Sequence, residues 1–133
     1  MAGIHGLALV IALVLNAAAN LLMKVGMTRV AAGGGLLADG IGGAIVKIVT
    51  SPVLLIGLTC FGLNAACYMF ALQSRALKIS LAYPIMVGGG FAIIAVVGYV
   101  WLGERLTTLQ SLGVGLVLAG AFLIAVQTET AVK

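Results

Sequence analysis

Three polar side chains recur at every fourth position near the amino end of the chain. Residues 1–23 contain no Asp, Glu, Lys or Arg; Asn16 and Asn20 lie within this stretch, and Lys24 follows it directly. Because an α-helix has about 3.6 residues per turn, these side chains lie along one stripe of a helix. Two carboxamides leading to an ammonium suit a neutral polar or anionic ligand, whereas a hydrophobic cation within a membrane needs a carboxylate as counter-ion. The stripe therefore predicts a ligand whose polar part is neutral or negative.

The composition is that of an integral membrane protein. Hydrophobic residues make up 63% and charged residues 8% of the 133 residues, against about 25% charged in soluble domains. No strand-like alternation is present, so we expect an all-α bundle of four transmembrane helices in a single membrane domain over residues 1–133. The first apolar stretch is too long for a signal peptide and lacks its basic start, so we expect it to be retained. The expected spans, each near the roughly 20 residues that a bilayer requires, are 4–23, 52–73, 79–102 and 109–126.

The segment between the first two spans has its own pattern. After three glycines at 33–35, apolar residues recur at helical spacing over residues 36–49, with Asp39 and Lys47 on the other side. Ser51 and Pro52 then provide an N-cap and a first-turn proline for the next span. The pattern predicts a short interfacial helix. It could simply cover the helix ends or lie beside a substrate portal.

The residues required for enzymatic or metal chemistry are not grouped. Cys60 and Cys67 share one helix face but lie about 10 Å apart along the axis, too far for a disulfide. No His, Cys and carboxylate spacing resembles a metal site, and there is no Ser/His/Asp set or phosphate loop. We therefore expect a protein that is not an enzyme, with no metal, no other cofactor and no nucleic-acid partner. Glu104 and Arg105 are expected to form a solvated pair at a helix end, and His5 to lie unpartnered at the water interface.

Several motifs carry a family resemblance. They are LMK at 22–24, LAYPIMVGGG at 81–90, WLGERLT at 101–107 and LGVGLVLAGAFLI at 112–124. In this order and spacing they resemble the drug/metabolite transporter superfamily. At this length the chain is similar to the four-helix small multidrug resistance branch and to its flippase relatives, which move aminoarabinose-phosphoundecaprenol across the bacterial inner membrane. The resemblance covers nearly the whole chain except residues 27–50.

The resemblance implies a pocket with one important difference. In the drug exporters, a membrane glutamate lies eight residues before the lysine that ends the first helix, and Asn16 holds that place here. Because Asn cannot bind and release a proton, exchange of protons for cations is not expected. Compared with the exporters' pocket, Tyr83 matches an aromatic residue, Tyr68 stands where they have a tryptophan, and Met86 replaces another aromatic residue. The resemblance therefore favours a flippase of a lipid-linked sugar, or of another amphiphile with an anionic head group, in the bacterial inner membrane.

The polar residues of the expected spans can be assigned to such a substrate. Lys24 would hold the phosphate, while Asn16, Asn20, Asn64 and Gln73 would hydrogen-bond the sugar at about 1 kcal/mol per net bond. The alternative is structural. Asparagines in membrane helices also bond to neighbouring helices, and a lysine can extend its ammonium to the interface.

Glycines indicate where the bundle could bend and pair. Gly88, Gly89 and Gly90 predict a hinge for alternating access, although glycines also permit close helix packing. In the last span, the expected dimer interface consists of Gly113, Leu116, Val117 and Gly120. Four helices form a thin bundle, so we expect an eight-helix dimer, either a homodimer or a heterodimer with a similar small transporter, surrounded by membrane lipids.

Two other functions remain open. One is a drug or small-metabolite exporter that is coupled without a glutamate. The other is an accessory subunit that transports nothing itself, in which alanine at Asn16 and Asn20 would be tolerated.

Overall fold

The computed structural model describes residues 2–75 and 77–130, and every regular element in this part of the chain is helical. The all-α prediction is confirmed. The helices are α1 (Ala2–Ala32), α2 (Gly40–Thr50), α3 (Pro52–Ala71), α4 (Ile79–Val100) and α5 (Thr108–Thr130).

Four of these helices, α1, α3, α4 and α5, are long and apolar enough to cross a membrane. Helix α3 runs antiparallel to α1, because Leu54 lies against Gly26 while Phe70 lies against His5. Helix α4 runs parallel to α1, since Gly89 and Gly90 face Leu13 and Asn16, and Lys24 lies beside Glu104 just after α4. Helix α5 packs mainly on α4 and runs antiparallel to it, since Ala121 lies against Gly88 while Val114 lines the same cavity as Gly98. The successive spans therefore alternate in direction, as in an up-and-down bundle.

The first helix is longer than the sequence pattern predicts. It continues nine residues past position 23, to Ala32, and its 31 residues span about 46 Å, more than the roughly 30 Å of a hydrocarbon core. Its last turns, including Arg29, therefore extend toward the membrane surface. We call the end of the bundle that carries Lys24, Arg29 and Lys47 the cationic end.

The connection after α1 folds into the short helix that the sequence indicates. Gly34 and Gly35 adopt φ values of 101° and 97°, which reverse the chain. Helix α2 begins at Gly40, four residues later than expected. Lys47 fastens it to the preceding loop through Asp39 Oδ2 at 2.8 Å and the Gly35 carbonyl oxygen at 2.9 Å. The apolar side chains of Ile41, Ile45, Val46 and Val49 are exposed, which suits a helix lying in the membrane interface.

Small residues allow the spans to approach closely. Ala12 and Ala82 are fully buried, and Gly57 lies against the Ala19 carbonyl and the side chains of Leu22 and Met23. Membrane helices pack in this way because lipid provides little hydrophobic force between them, so close van der Waals contact provides the stabilisation.

Candidate substrate site between the helices

Two buried polar atoms on α3 have no hydrogen-bond partner among the described residues. They are Oδ1 of Asn64 and the hydroxyl oxygen of Tyr68. Asn64 is only 5% exposed. The two residues are one helical turn apart, so their side chains share a face of α3. A polar atom buried without a partner costs free energy, and in a bilayer no bulk water can compensate.

The face of α3 that carries Asn64 and Tyr68 points toward α1. Leu54, Gly57, Asn64 and Ala71 are its buried residues, and their spacings of three and seven residues keep them on one side of the helix. Gly57 contacts Leu22, and Phe70 contacts His5. Since Asn64 lies midway between Gly57 and Phe70, it faces the middle of α1, deep within the bundle.

An aromatic pair lies beside these polar atoms. The rings of Tyr68 and Tyr83 meet edge to face, with centroids 6.4 Å apart and an interplanar angle of 63°. Tyr83 is 55% exposed, so this pair connects the buried face of α3 with the outside of the bundle. Both residues were expected in the pocket, and the structure brings them together.

Asn16 and Asn20 are bonded to each other along α1. The Asn20 amide donates to the Asn16 carbonyl oxygen at 2.8 Å and to Asn16 Oδ1 at 3.4 Å. The Asn16 carboxamide lies against α4, where its Nδ2 would be 2.9 Å from a Cβ added to Gly90. No hydrogen bond from either residue to another helix is found in the described part of the chain, so the predicted alternative of interhelical bonding does not describe them here.

Lys24 is paired with an acid from the connection between α4 and α5. Its Nζ lies 3.4 Å from Glu104 Oε1. Glu104 folds over the end of α4, where its backbone N–H donates to the Gly98 carbonyl oxygen at 3.0 Å. The expected solvated pair of Glu104 with Arg105 is therefore wrong. The chain turn after α4 directs the carboxylate back toward α1 instead.

Several predicted residues have other surroundings. Met86 is 6% exposed and packs in an apolar cluster with Ala8, Leu9, Ala12 and Ala82, so in this conformation it stabilises the bundle core. Gln73 is exposed just beyond the end of α3.

The expected hinge glycines lie within a continuous helix. Gly88 packs against Ala121 of α5, while Gly89 packs against Leu13 and Gly90 against Asn16. Each glycine allows a neighbouring helix to approach closely, and such packing is the alternative to a hinge that the sequence analysis named. The hinge stays a prediction. Beside them an apolar cavity of about 400 Å³ lies between α1, α4 and α5.

Sequence reasoning missed the role of His5. Its Nδ1 is 3.1 Å from the Phe70 carbonyl oxygen, so the ring donates there in the tautomer protonated at Nδ1, and it stacks on Phe70 with centroids 5.0 Å apart. Only the arrangement of α1 against the end of α3 reveals this contact, since 65 residues separate the partners. His5 therefore joins two spans and does not stand unpartnered at the interface.

One known protein family matches the part of the chain that contains α3 and α4. The family described as "Small Multidrug Resistance protein" matches residues 41–117, more than half of the chain. This chain belongs to the small multidrug resistance family. The matched region contains Asn64, Tyr68 and Tyr83. It begins after α1, so the equivalence of Asn16 with the exporters' glutamate stays a prediction.

Individual relatives are similar at moderate identity. An uncharacterized protein, y4nH, of Sinorhizobium fredii is 35% identical over 75 residues, which cover 56% of this chain and 62% of that protein. The probable 4-amino-4-deoxy-L-arabinose-phosphoundecaprenol flippase subunit ArnF of Yersinia enterocolitica is 35% identical over 69 residues, 51% of this chain and 52% of ArnF. The multidrug resistance protein EbrA of Bacillus licheniformis is 30% identical over 67 residues, 50% of this chain and 64% of EbrA. These matches span about half to two thirds of the relatives' own length, and no solved structure matches the chain.

Proposed function

We propose that this small multidrug resistance protein is a transporter of the bacterial inner membrane that moves an amphiphile with an anionic head group, such as a lipid-linked sugar. It would work by alternating access as a dimer. The observation that carries the proposal is the pair of buried, unpartnered atoms, Asn64 Oδ1 and the Tyr68 hydroxyl. The printed function of the relative ArnF adds support for the lipid-linked substrate.

The chemistry of these two atoms suits a hydroxylated substrate. Asn64 Oδ1 accepts hydrogen bonds, while the phenol of Tyr68 both donates and accepts. A sugar offers hydroxyl groups that do the same, so it could replace the water that the head group leaves behind. Because each unsatisfied buried group costs about 1–3 kcal/mol, a bound sugar at this level would stabilise the bundle.

The positions of the acids disfavour a cationic substrate. The three carboxylates in the sequence are Asp39, Glu104 and Glu129, and none lies in the central part of a span. Asp39 is paired with Lys47, and Glu104 with Lys24. A hydrophobic cation at mid-membrane would therefore find no counter-ion.

A drug exporter with another coupling scheme is the second candidate. The observation that favours it is the edge-to-face pair of Tyr68 and Tyr83, because aromatic rings attract cations. The multidrug resistance protein EbrA is also among the relatives. A non-transporting accessory subunit is the third candidate, and it gives the polar atoms of α3 no role.

A matched pair of substitutions tests the proposal. Tyr68→Phe removes only the hydroxyl, and Asn64→Leu replaces a carboxamide by an apolar side chain of similar size. Since neither polar atom has a partner among the described residues, we expect both variants to be at least as stable as the wild type in dodecyl sulfate unfolding. We expect both to lose most of the translocation of a fluorescent polyprenyl-phosphate sugar in vesicles, measured by dithionite quenching of the outer leaflet. Tyr99→Phe, at an exposed site near the end of α4, is the control.

The outcomes separate the three candidates. Lower stability with unchanged translocation would make the α3 pair structural and would remove the basis of the proposal. Saturable binding of a quaternary ammonium drug that depends on Tyr68 and Tyr83 would favour the exporter. A wild-type protein that moves neither probe would favour the accessory subunit.

A further inference from the structure

Arg29 stands where two cavities at the cationic end meet. The first is an apolar groove of about 450 Å³ between α1, α3 and α4, within the size range of small-molecule sites. Its walls are Leu21, Leu22, Val25, Val53, Val97 and Trp101. The second is a cleft of about 290 Å³ between the end of α1 and α2, whose lining includes Lys47, Thr50 and Ser51. Arg29 lines both.

The positive charge of Arg29 is not neutralised by any described residue. Lys47 in the same cleft is held by Asp39 and by the Gly35 carbonyl oxygen, and Lys24 is paired with Glu104. In the described part of the chain, Arg29 has neither an ion pair nor a hydrogen bond to a side chain, and no acid lines the apolar groove. The cleft therefore has one available guanidinium, a group whose planar set of N–H donors matches phosphate oxygens.

The groove extends from this charge toward the membrane interior. Leu21 and Arg29 are eight residues apart on α1, so the apolar wall runs about 12 Å along the helix. Trp101, at the end of α4 and 84% exposed, marks the depth at which aromatic side chains meet lipid head groups. A cation at the surface and an apolar groove below it match a molecule with a charged head and a hydrocarbon chain.

We propose that Arg29 anchors the phosphate of an anionic membrane amphiphile while the amphiphile's chain lies in the groove below. The inference rests on the proposed function, because the amphiphile bound there is the substrate before its head group reaches Asn64 and Tyr68. The Ser51 hydroxyl, which caps α3 by accepting from the Leu54 N–H at 3.4 Å, keeps its own hydrogen free to donate to a phosphate oxygen.

Binding of simple amphiphiles to the full-length protein tests this site. Dodecyl phosphate is the probe, with dodecyltrimethylammonium and inorganic phosphate as comparisons, and native mass spectrometry from a neutral detergent gives the affinity. We expect Arg29→Gln to weaken dodecyl phosphate binding by about tenfold to a hundredfold, which corresponds to the loss of a charge-assisted bond. Arg29→Lys should recover part of this loss, because lysine keeps the positive charge but lacks the planar set of N–H donors of a guanidinium. Arg75→Gln, at the opposite end of the bundle, should bind like the wild type.

Each comparison can overturn the proposal. Equal affinity of Arg29→Gln and the wild type for dodecyl phosphate would exclude Arg29 as the anchor. Equal affinity of the wild type for dodecyl phosphate and inorganic phosphate would show a free-anion site without a chain groove. Equal binding of dodecyltrimethylammonium would show unselective detergent uptake. Circular dichroism and elution volume identify any variant that has lost its fold, and Arg29→Lys then provides the comparison.

The kinetics of translocation distinguish this site from the one on α3. If Arg29 loads the substrate, Arg29→Gln should raise the probe concentration needed for half-maximal translocation by about tenfold or more and leave the maximal rate nearly unchanged. Tyr68→Phe should instead lower the maximal rate. A normal concentration dependence in Arg29→Gln would contradict the loading site alone. Absence of translocation by the wild type would contradict the proposed function, while dodecyl phosphate binding would still report on Arg29.

Discussion

Lys24 on α1 and Glu104 after α4 form an ion pair, with Nζ and Oε1 3.4 Å apart. Their side chains are 59% and 49% exposed, so water screens the attraction and the pair adds little stability. The pair has a greater effect on charge, because it occupies the ammonium expected to meet an anionic head group. It also joins the first helix to the connection between the last two.

Removing the acid should therefore release Lys24 for binding. We expect Glu104→Gln to change the free energy of unfolding by less than about 1 kcal/mol and to increase the retention of anionic lipid in native mass spectrometry. Adding Lys24→Gln to Glu104→Gln should then lower the retention by about tenfold to a hundredfold relative to Glu104→Gln alone, the effect of one charge-assisted bond. Arg105→Gln is the neighbouring control. Equal lipid retention in the wild type, in Glu104→Gln and in the double variant would leave Lys24 with a structural role only.

Coupling to protons should depend on the residue at position 16. The wild type has a carboxamide there, so we expect no proton release when benzalkonium is added, measured by calorimetry in two buffers of different ionisation enthalpy. Asn16→Asp keeps the shape of the side chain but introduces a carboxyl group that can exchange a proton for a cation. We expect this variant to gain saturable, pH-dependent binding of the drug. The same binding in the wild type would contradict the preference for an anionic substrate.

Much of the architecture could be predicted from the sequence because membrane burial leaves a strong one-dimensional signal. The apolar stretches show the four long helices, and Ser51 with Pro52 marks the start of α3, where the serine side chain does cap the helix. The end of α1 could not be predicted in this way. Its last turns combine polar and apolar residues, and only glycines 33–35 mark its end.

The candidate site was harder to predict because its character depends on contacts between helices. Sequence reasoning named Asn64 without any spacing argument, yet Asn64 is the buried polar residue that faces α1. Met86 was expected in the pocket but packs in the core, because an aromatic position in a family motif does not specify its neighbours. The sequence pattern gives Arg29 no role. Its position between two cavities becomes visible once α1 is seen to extend to Ala32.

A swap of small side chains tests whether Gly88 packs helices or bends α4. A Cβ at Gly88 would meet Ala121, so we expect Gly88→Ala to destabilise the bundle by about 1–3 kcal/mol in dodecyl sulfate unfolding. Combining it with Ala121→Gly restores the space and should recover most of that loss. Gly62→Ala, where a Cβ meets no atom within 4 Å, should instead stabilise α3 by about 0.5–1 kcal/mol.

Translocation by the double variant then decides the role of Gly88. Recovery of both stability and translocation would assign it to packing. Recovery of stability alone would show that α4 needs the backbone freedom of glycine at this position, as the predicted hinge requires.

Assembly should depend on one face of α5. Helix α5 contacts Gly88 of α4 through Ala121, and Leu118, Ala121 and Ala125 line the cavity beside that glycine. The predicted dimer residues Gly113, Leu116, Val117 and Gly120 lie on another face. Leu116 and Val117 are 75% and 51% exposed, and no atom lies within 4 Å of a Cβ added at either glycine. A second copy could approach there without disturbing its own bundle.

Leucine substitutions on α5 test this interface with a control on the same helix. We expect Gly113→Leu combined with Gly120→Leu to shift the protein from dimer to monomer in detergent, measured by light scattering during size-exclusion chromatography, because the added side chains hold the partner helix away. The fold of each protomer should remain, since both glycines face open space. Gly115→Leu adds the same bulk where space is equally open, but two residues along a helix turn the side chain by about 200°. It should therefore leave the dimer intact, and an equal loss of dimer in both variants would place the interface on a broader surface of α5.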